Sequence, residues 1–496
     1  MLTMLKRIKH RGQFFSFIFI FVIIFFLRFW KVPDFFIFTF SEEWQGTLAW
    51  ELVKDFHIIW IGVSQANIHF YLGPGFIYFN YLLFMLGKGG IEILPYTSAM
   101  LGMMTVFCLF YITDKLFSRQ VAIFATIFYG CSTLINYYDR RFWNPSFIPI
   151  MTPLFVYSLI KSNQNTRWFI LTTLLIAASF HFHLLLLLYL LPAIYYMIKN
   201  FRKIQRSTWL AMIATFLIIM SPLIVFDLVH NFDNFLVPYR LLTGEKNELA
   251  PLTVTSIINH SNTLISTLGR IWFLKLNTNL RQVALETETA SIPGNIFLAM
   301  ISIIALIWFI VKNRKPGYKI FLLPLIGYPL IFLLYPSYNP EYYLMSFITL
   351  LTIAIGYWLN TLPKIISYPF IIIFVIANIL TVVTTTDDYG LTTRRELIKK
   401  TAPVLNGKSF YLETVGPREN PQYEYAGWRL LYKIYGQTPA QSSIDSVLGW
   451  IYSDEISKSA PNLKLVIVQD MTPKFNSKPL YKFDSGVYGA YVFKNK

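Results

Sequence analysis

Apolar runs of bilayer length recur along the first three quarters of the chain, and no other feature restricts the fold as strongly. The first, Phe14 to Trp30, follows a basic stretch, KRIKHR. A helix needs about 20 apolar residues to cross the hydrocarbon core, and its backbone polar groups must all be satisfied within the segment. Spans are expected near 14–30, 95–113, 120–137, 146–160, 167–181, 183–199, 209–228, 294–311, 318–335, 341–359 and 365–383. The apolar piece 76–87 is too short to cross and reads as interfacial or re-entrant. Only 14% of residues are charged, against about a quarter in a soluble protein. The fold class expected is a polytopic α-helical membrane protein of about 11–13 transmembrane helices, with a long first outer loop carrying juxtamembrane helices. A spanning β-barrel would show short alternating segments instead. No small-residue cleavage site follows the first run, which therefore reads as a retained helix and not a signal peptide. Cys108 and Cys131 both fall inside apolar runs and read as small core residues.

The net charge of +17 is a topology signal. With the N-terminus in the cytoplasm and the spans alternating, the inner segments are KRIKHR, DKLFSRQ, KSNQNTR, KNFRKIQR, KNRKPGYK and the turn at Lys364. They hold seventeen Lys and Arg against one acid, Asp114, while the outer side keeps 26 basic and 25 acidic residues. Short inner loops rich in Lys and Arg are what sets orientation. The distribution argues against nucleic acid as a partner. It places the chain in the cell membrane as a multi-pass protein, plasma or inner, with the C-terminal region outside.

The outer side then holds the loop 31–94, the turn YYDRRFWNP, the FHFH turn, the loop 231–293, the turn YPSYNPEYY and the tail from about 384. Six of the seven histidines, all but His10, lie there. Two units are expected: residues 1–383 as the transmembrane domain and 384–496 as a soluble extracytoplasmic α/β domain. In the tail, 408–414, 463–470 and 486–493 read as strands, and 421–436 and 442–456 as amphipathic helices. GKS at 407–409 lacks the upstream glycine of a phosphate loop.

No HExxH, CxxC pair or EF-hand loop is present, so no metal site is expected. No Walker or Rossmann glycine pattern precedes a helix, so no nucleotide is expected either. Group transfer on an outer face would suit a lipid-carried donor, because nucleotide-activated donors are cytosolic. The outer groups each have two readings. Glu42 and Glu43, in FTFSEEW, are either solvated loop acids or a base whose proton affinity is raised near apolar surface. Asp139, Arg140 and Arg141 are either a snorkelling helix end or, flanked by aromatics, a holder of phosphate at headgroup depth. His181 and His183 are two apart and cannot share one helix face. Asp227 and His230 have an i, i+3 spacing and read first as a structural hydrogen bond. Glu341 suits a helix N-terminus, and Tyr342 and Tyr343 suit an interfacial aromatic belt. Five clusters scattered in sequence and converging on one face are the parts of a glycosyl or phosphoryl transfer site.

The ordered segments R-F-W … F-T-F-S-E-E, HFYLGPGFIYF, YDRRFWNP, HFHLLLLL, PLIVFDLVHNF and PEYYL resemble the membrane glycosyltransferases of the C superfamily. The family 39 group, with its protein O-mannosyltransferases and lipid A aminoarabinose transferases, is the most similar. The resemblance covers residues 14 to 383; the tail matches only in position. It implies a polyprenyl-phosphate-linked sugar as donor, with a lipid, glycan or protein as acceptor. In that group an acidic pair in the first outer loop, usually Asp-Glu, serves the acceptor, and Glu42 and Glu43 hold that place. The resemblance assigns Arg140, Arg141, Tyr342 and Tyr343 to the donor phosphate. His69, Tyr71 and Pro74 fall in a segment that shapes the site. Asp139, His181, His183, Asp227, His230 and Glu341 are further candidates for substrate contact. No cofactor is required by this reading, since a phosphate whose charge is held by arginine leaves readily; a divalent cation recruited with the donor has no sequence support. The rival readings are a lipid-linked glycan ligase or polymerase and, with few charges at midplane depth to support it, a lipid or polysaccharide transporter.

Overall fold

The structure is a computed structural model that describes residues 18–36, 38, 40–65, 70–243, 251–274, 292–313, 316–336, 340–416 and 427–495. Every span expected from the apolar runs is largely helical over its described residues. In chain order the helices are α1 (Ile18–Phe29), α2 (Phe40–Lys54), α3 (Gly75–Leu86), α4 (Ile93–Leu116), α5 (Arg119–Cys131), α6 (Thr133–Tyr138), α7 (Ile148–Ser162) and α8 (Trp168–Phe182). They continue as α9 (Leu190–Asn200), α10 (Arg206–Val229), α11 (Val237–Thr243), α12 (Val254–Arg270), α13 (Ile296–Lys312), α14 (Leu322–Leu334), α15 (Met345–Thr361) and α16 (Lys364–Thr384). Among the described residues, five helices have the length and composition to cross a membrane on their own: α4, α10, α16, α9 with its flanking 3-10 turns, and α15 with its leading 3-10 turn. Other apolar helices are shorter. The expected span 120–137 breaks at Ser132, whose hydroxyl donates to the Ile271 carbonyl at 2.7 Å. The twelve residues of α3 rise about 18 Å, short of a crossing.

Helix α15 lies at the centre of the bundle and is buried on most sides. Its Gly356 lets it approach α5 so closely that a Cβ would sit 2.6 Å from the Ala125 nitrogen. On the periphery, α10 and α16 turn Leu210, Ile218, Leu228, Ile365 and Ile373 outward, an apolar surface that suits lipid. The chain is a membrane protein.

The two ends of the bundle differ in chemistry. At one end, Tyr318 bonds the Leu116 carbonyl, Gln120 bonds Tyr368 at 3.2 Å, and Asn200 bonds Asn163 at 3.2 Å. These contacts gather the turns that carry Lys115, Arg119, Lys161, Arg167 and Lys199. The opposite end carries α2, α3, the 139–143 turn and the 3-10 turn Glu341–Leu344.

Beyond α16 come α17 (Leu391–Leu405), α18 (Trp428–Tyr435) and the strands β3 (Phe410–Val415), β4 (Gln441–Ser442), β5 (Leu463–Gln469), β6 (Tyr481–Ser485) and β7 (Tyr488–Lys494), while β1 (Ser64–Gln65) and β2 (Phe70–Tyr71) form a small hairpin in the first loop. The large sheet runs β4-β3-β5-β7-β6, with β3 parallel to both β4 and β5, and β7 antiparallel to both β5 and β6. Residues 442–456 differ from the expected helix. They form a single turn, Asp445–Leu448, and a 3-10 turn, Ser453–Glu455. The Asp445 carboxylate accepts from the Ser442 N–H and hydroxyl instead of facing a helix surface. Alternation along β5 sends Leu465 and Ile467 to one face and Val466 and Val468 to the other. The first face is continuous with Leu48 and Leu52 of α2, Phe76 and Phe84 of α3, Leu397 of α17 and Leu431 of α18. One core therefore joins the C-terminal sheet to the first loop.

Candidate active site

The turn after α6 is tied down from both sides. Ser98 Oγ lies 2.7 Å from the carbonyl oxygens of both Asp139 and Arg141, and Ser146 Oγ donates to the Arg141 carbonyl at 2.8 Å. Three successive side chains leave this turn for three different partners. Asp139 accepts from Arg28 Nη2 at 2.8 Å and Nε at 3.2 Å; burial raises its proton affinity and Arg28 opposes the rise. Arg140 donates through Nη2 to the carbonyls of Leu27 (2.9 Å) and Trp30 (3.2 Å) and stacks on Phe35, 4.4 Å to the centroid. It caps the carbonyl end of α1. Burial, and then Arg28, lower its pKa to about 10 against the opposing pull of Asp387 and Asp34. Arg141 reaches α2.

Neighbouring positions on a helix point about 100° apart, and this separates the two acids of α2. Glu42 Oε1 accepts from Arg141 Nε at 2.8 Å, with both side chains almost fully buried. Glu43 faces the C-terminal unit, where its carboxylate accepts from the N–H of Gly427 at 2.5 Å and of Leu430 at 3.4 Å. The adjacent acids, either of which the sequence allows as the base, are thus parted: one lies at the arginine and one at the start of α18.

Aromatic rings continue from Arg141. Its guanidinium lies over the Trp143 ring, 3.5 Å to the centroid. Trp143 meets Tyr342 at 4.4 Å, Tyr342 meets Tyr343 at 4.8 Å, and His183 stands 5.8 Å from each tyrosine. His183 Nδ1 also accepts from the Leu185 N–H at 3.2 Å, which starts the 3-10 turn Leu184–Tyr189. A carboxylate, a guanidinium and a wall of rings from four separate segments therefore adjoin one another.

The remaining candidates hold structure around this centre. Glu341 is fully buried and accepts from Tyr138 Oη at 2.8 Å, from Thr267 Oγ1 at 2.6 Å and from Arg270. It is more than a helix cap: it ties α6, α12 and the start of α15 together. His181 Nδ1 accepts from the Gly75 N–H at 3.1 Å, which leaves its proton on Nε2, directed at the Ile219 carbonyl at 2.8 Å. A Cβ on Gly73 would overlap this imidazole, so the Gly73-Pro74-Gly75 turn and His181 define one another. Asp227 accepts from the N–H of Asn234 (3.0 Å) and Phe235 (3.1 Å), and Asn234 pairs with the backbone of Tyr71 at 2.7 and 3.1 Å. His230 has its own partner, the Phe226 carbonyl at 2.8 Å, so in place of the expected bond between Asp227 and His230 each side chain bonds elsewhere. His69 lies outside the described residues. Among the described residues no three His, Cys, Asp or Glu side chains are grouped as metal ligands.

Sequence reasoning missed Arg28 and Arg270; Trp143 it had read only as one of the aromatics flanking the two arginines. Arg28 and Arg270 had a signal: a charge within or beside an apolar segment is costly and finds a partner.

Residues 72–226, which include the 139–143 turn, His181 and His183, match the family described as dolichyl-phosphate-mannose-protein mannosyltransferase. No curated protein matches the chain. The fold is similar to that of ArnT from Cupriavidus metallidurans. The structure bound to undecaprenyl phosphate aligns with a TM-score of 0.59 at 10% identity over 97% of this chain and 98% of that one. The apo structure aligns with a TM-score of 0.57 at 9% identity over 98% of each. Residues 72–226 thus carry the protein-mannosyltransferase pattern, and the chain as a whole shares the fold of ArnT.

Proposed function

We propose that the chain is a glycosyltransferase that moves a sugar from a polyprenyl-phosphate donor to a hydroxyl or amine of a lipid, glycan or protein acceptor, on the extracytoplasmic side. The observation that carries the reading is the Glu42–Arg141 pair beside Trp143 and Tyr342. A guanidinium offers five N–H donors in a fork that fits phosphate oxygens. A donor phosphate competes with Glu42 for Arg141, so its arrival frees the carboxylate to accept a proton. Glu42 then takes the proton from the acceptor nucleophile, which attacks the anomeric carbon as the bond from that carbon to the phosphate oxygen breaks. Polyprenyl phosphate leaves with the bonding pair, its charge held by Arg141, and the anomeric centre inverts. The ring wall from Trp143 to Tyr343 suits a sugar or the first isoprene units.

Charge supports this sidedness. The Glu42 end of the bundle is opposite the turns bearing Lys115, Arg119, Lys161 and Lys199, and positive turns stay in the cytoplasm. The ArnT structure that shares the fold is bound to undecaprenyl phosphate, which supports a donor of that chemical class. The test is turnover of a prenyl-phosphate sugar by the full chain in lipid nanodiscs. Glu42→Gln is expected to lose transfer while remaining folded; full activity in that variant would end the assignment.

A further inference from the structure

We propose that Glu43 is a positioning residue and that the C-terminal unit is part of the catalytic apparatus, because it holds α2 so that Glu42 meets Arg141. This rests on the reading of Glu42 as the base. Contacts from the C-terminal unit run the length of α2. At the first turn, Glu43 accepts the Gly427 and Leu430 N–H groups at the start of α18. Burial raises its proton affinity, while those N–H groups, Arg429 and Arg394 hold it down. Gly427 sits at φ 101°, and a Cβ there would lie 2.7 Å from the Phe38 carbonyl oxygen. A glycine is therefore needed for α18 to come this near Phe38. Arg394 of α17 donates to that same Phe38 carbonyl at 2.7 Å and to Tyr488 Oη at 3.0 Å. One turn further along α2, the Cβ position of Gly46 is 3.4 Å from Leu430. At the far end, Lys433 bridges Glu51 (2.5 Å) and Glu455 (2.6 Å) and lies 4.1 Å from the Trp50 ring centroid, and Lys54 stands 3.5 Å from Asp454 and Glu455.

A general base works only within a narrow range of placement, and a misplacement near 1 Å costs about 10²-fold in rate. Glu42 is a single helix residue from Glu43, so any rotation or slide of α2 on α18 moves both. Adjacent acids then have complementary tasks: Glu42 faces the reacting groups, and Glu43 fixes the angle of the helix that presents them.

The experiment uses the full chain in nanodiscs, with folded protein counted by size-exclusion and rates taken per folded molecule. Glu43→Ala is expected to lower kcat about 10–100-fold with donor KM within about twofold, and to keep the acidic limb of the rate–pH profile. Glu43→Gln, which keeps an acceptor oxygen for the N–H of Gly427, is expected to recover much of the loss. Lys433→Glu is expected to lower kcat, and adding Glu51→Lys to restore part of it. If Glu43 were itself the base, Gln would be as inactive as Ala and the acidic limb would vanish, overturning the proposal. If it were only structural, the folded yield would fall with kcat per folded molecule unchanged, again overturning it. Should Glu43→Ala not fold, the Lys433/Glu51 exchange decides alone: unchanged kcat in Lys433→Glu sinks the inference. Glu42→Gln is measured alongside, and full activity there rejects the base assignment whatever Glu43 does.

Discussion

Arg141 Nε lies 2.8 Å from Glu42 Oε1, and both side chains are withdrawn from solvent. Removing one member of such a pair leaves the other charge buried and unpaired, at a cost of about 3–5 kcal/mol. Truncation to alanine therefore confounds folding with chemistry, and conservative changes are the informative ones. Glu42→Gln keeps a hydrogen-bond acceptor for Arg141 but cannot take a proton. The rate is expected to fall about 10²–10⁴-fold, with a smaller loss of thermal stability than Glu42→Ala causes. Arg141→Lys keeps the charge but loses the planar fork, so donor KM is expected to rise more than kcat falls. Initial rates over a donor series separate the two.

The ring wall gives a prediction of a different kind. Tyr342 touches Trp143 at 4.4 Å and Tyr343 at 4.8 Å. Ring pairs of this type contribute about 0.5–1.5 kcal/mol beyond burial. Tyr342→Phe keeps the ring and is expected to leave donor KM nearly unchanged. Tyr342→Ala is expected to raise it by up to about tenfold, with the folded yield preserved. Equal effects from Phe and Ala would mean that the hydroxyl, not the ring, is the working part.

Glu341 and Arg270 make a fully buried ion pair, with Tyr138 and Thr267 satisfying the carboxylate further. It joins three helices and stands one residue from the ring wall. Glu341→Ala is expected to destabilise the protein by about 3–5 kcal/mol, read as loss of the monodisperse peak on extraction. Glu341→Gln, still able to accept from Tyr138 and Thr267, should extract better and turn over donor at a measurable rate. Normal stability in Glu341→Ala would show that Arg270 finds another partner.

Much of this arrangement was legible before any coordinates. Apolar length placed the helices, and the basic turns distinguished the two ends. Acids, arginines and tyrosines at one end named Glu42 with Glu43, Arg140 with Arg141, and Tyr342 with Tyr343 as candidates, without separating the members of the two charged pairs. The illegible part is a matter of direction. Asp139, Arg140 and Arg141 are consecutive, yet the tied turn sends them to α1 helix residue Arg28, to α1 carbonyls and to α2. Sequence spacing cannot assign partners about a hundred residues away. The same holds for Glu43, whose partner Gly427 is 384 residues distant. The failure of 442–456 as a helix has a local cause, since Asp445 bonds back to Ser442 and competes with helix formation.

Asp387 supplies a pH dependence. It follows α16, is half-buried, and accepts the Tyr389 N–H at 2.8 Å. Burial raises its pKa to about 7; the Tyr389 bond and Arg394 oppose the rise, and Asp388 and Asp34 add to it. Between the ordinary carboxylate range and about pH 7 the folded protein binds this proton and the unfolded chain does not. The stabilisation is therefore complete at acidic pH and is lost as pH rises through that window, with a slope of at most about 1.4 kcal/mol per pH unit. Asp387→Asn cannot titrate, so its unfolding midpoint from about pH 5 to 8 should be flatter than that of the parent, with the largest gain over the parent at the alkaline end. Tryptophan fluorescence melts across that range measure it directly. A variant whose midpoint follows the parent's pH dependence in parallel would place the titrating group elsewhere.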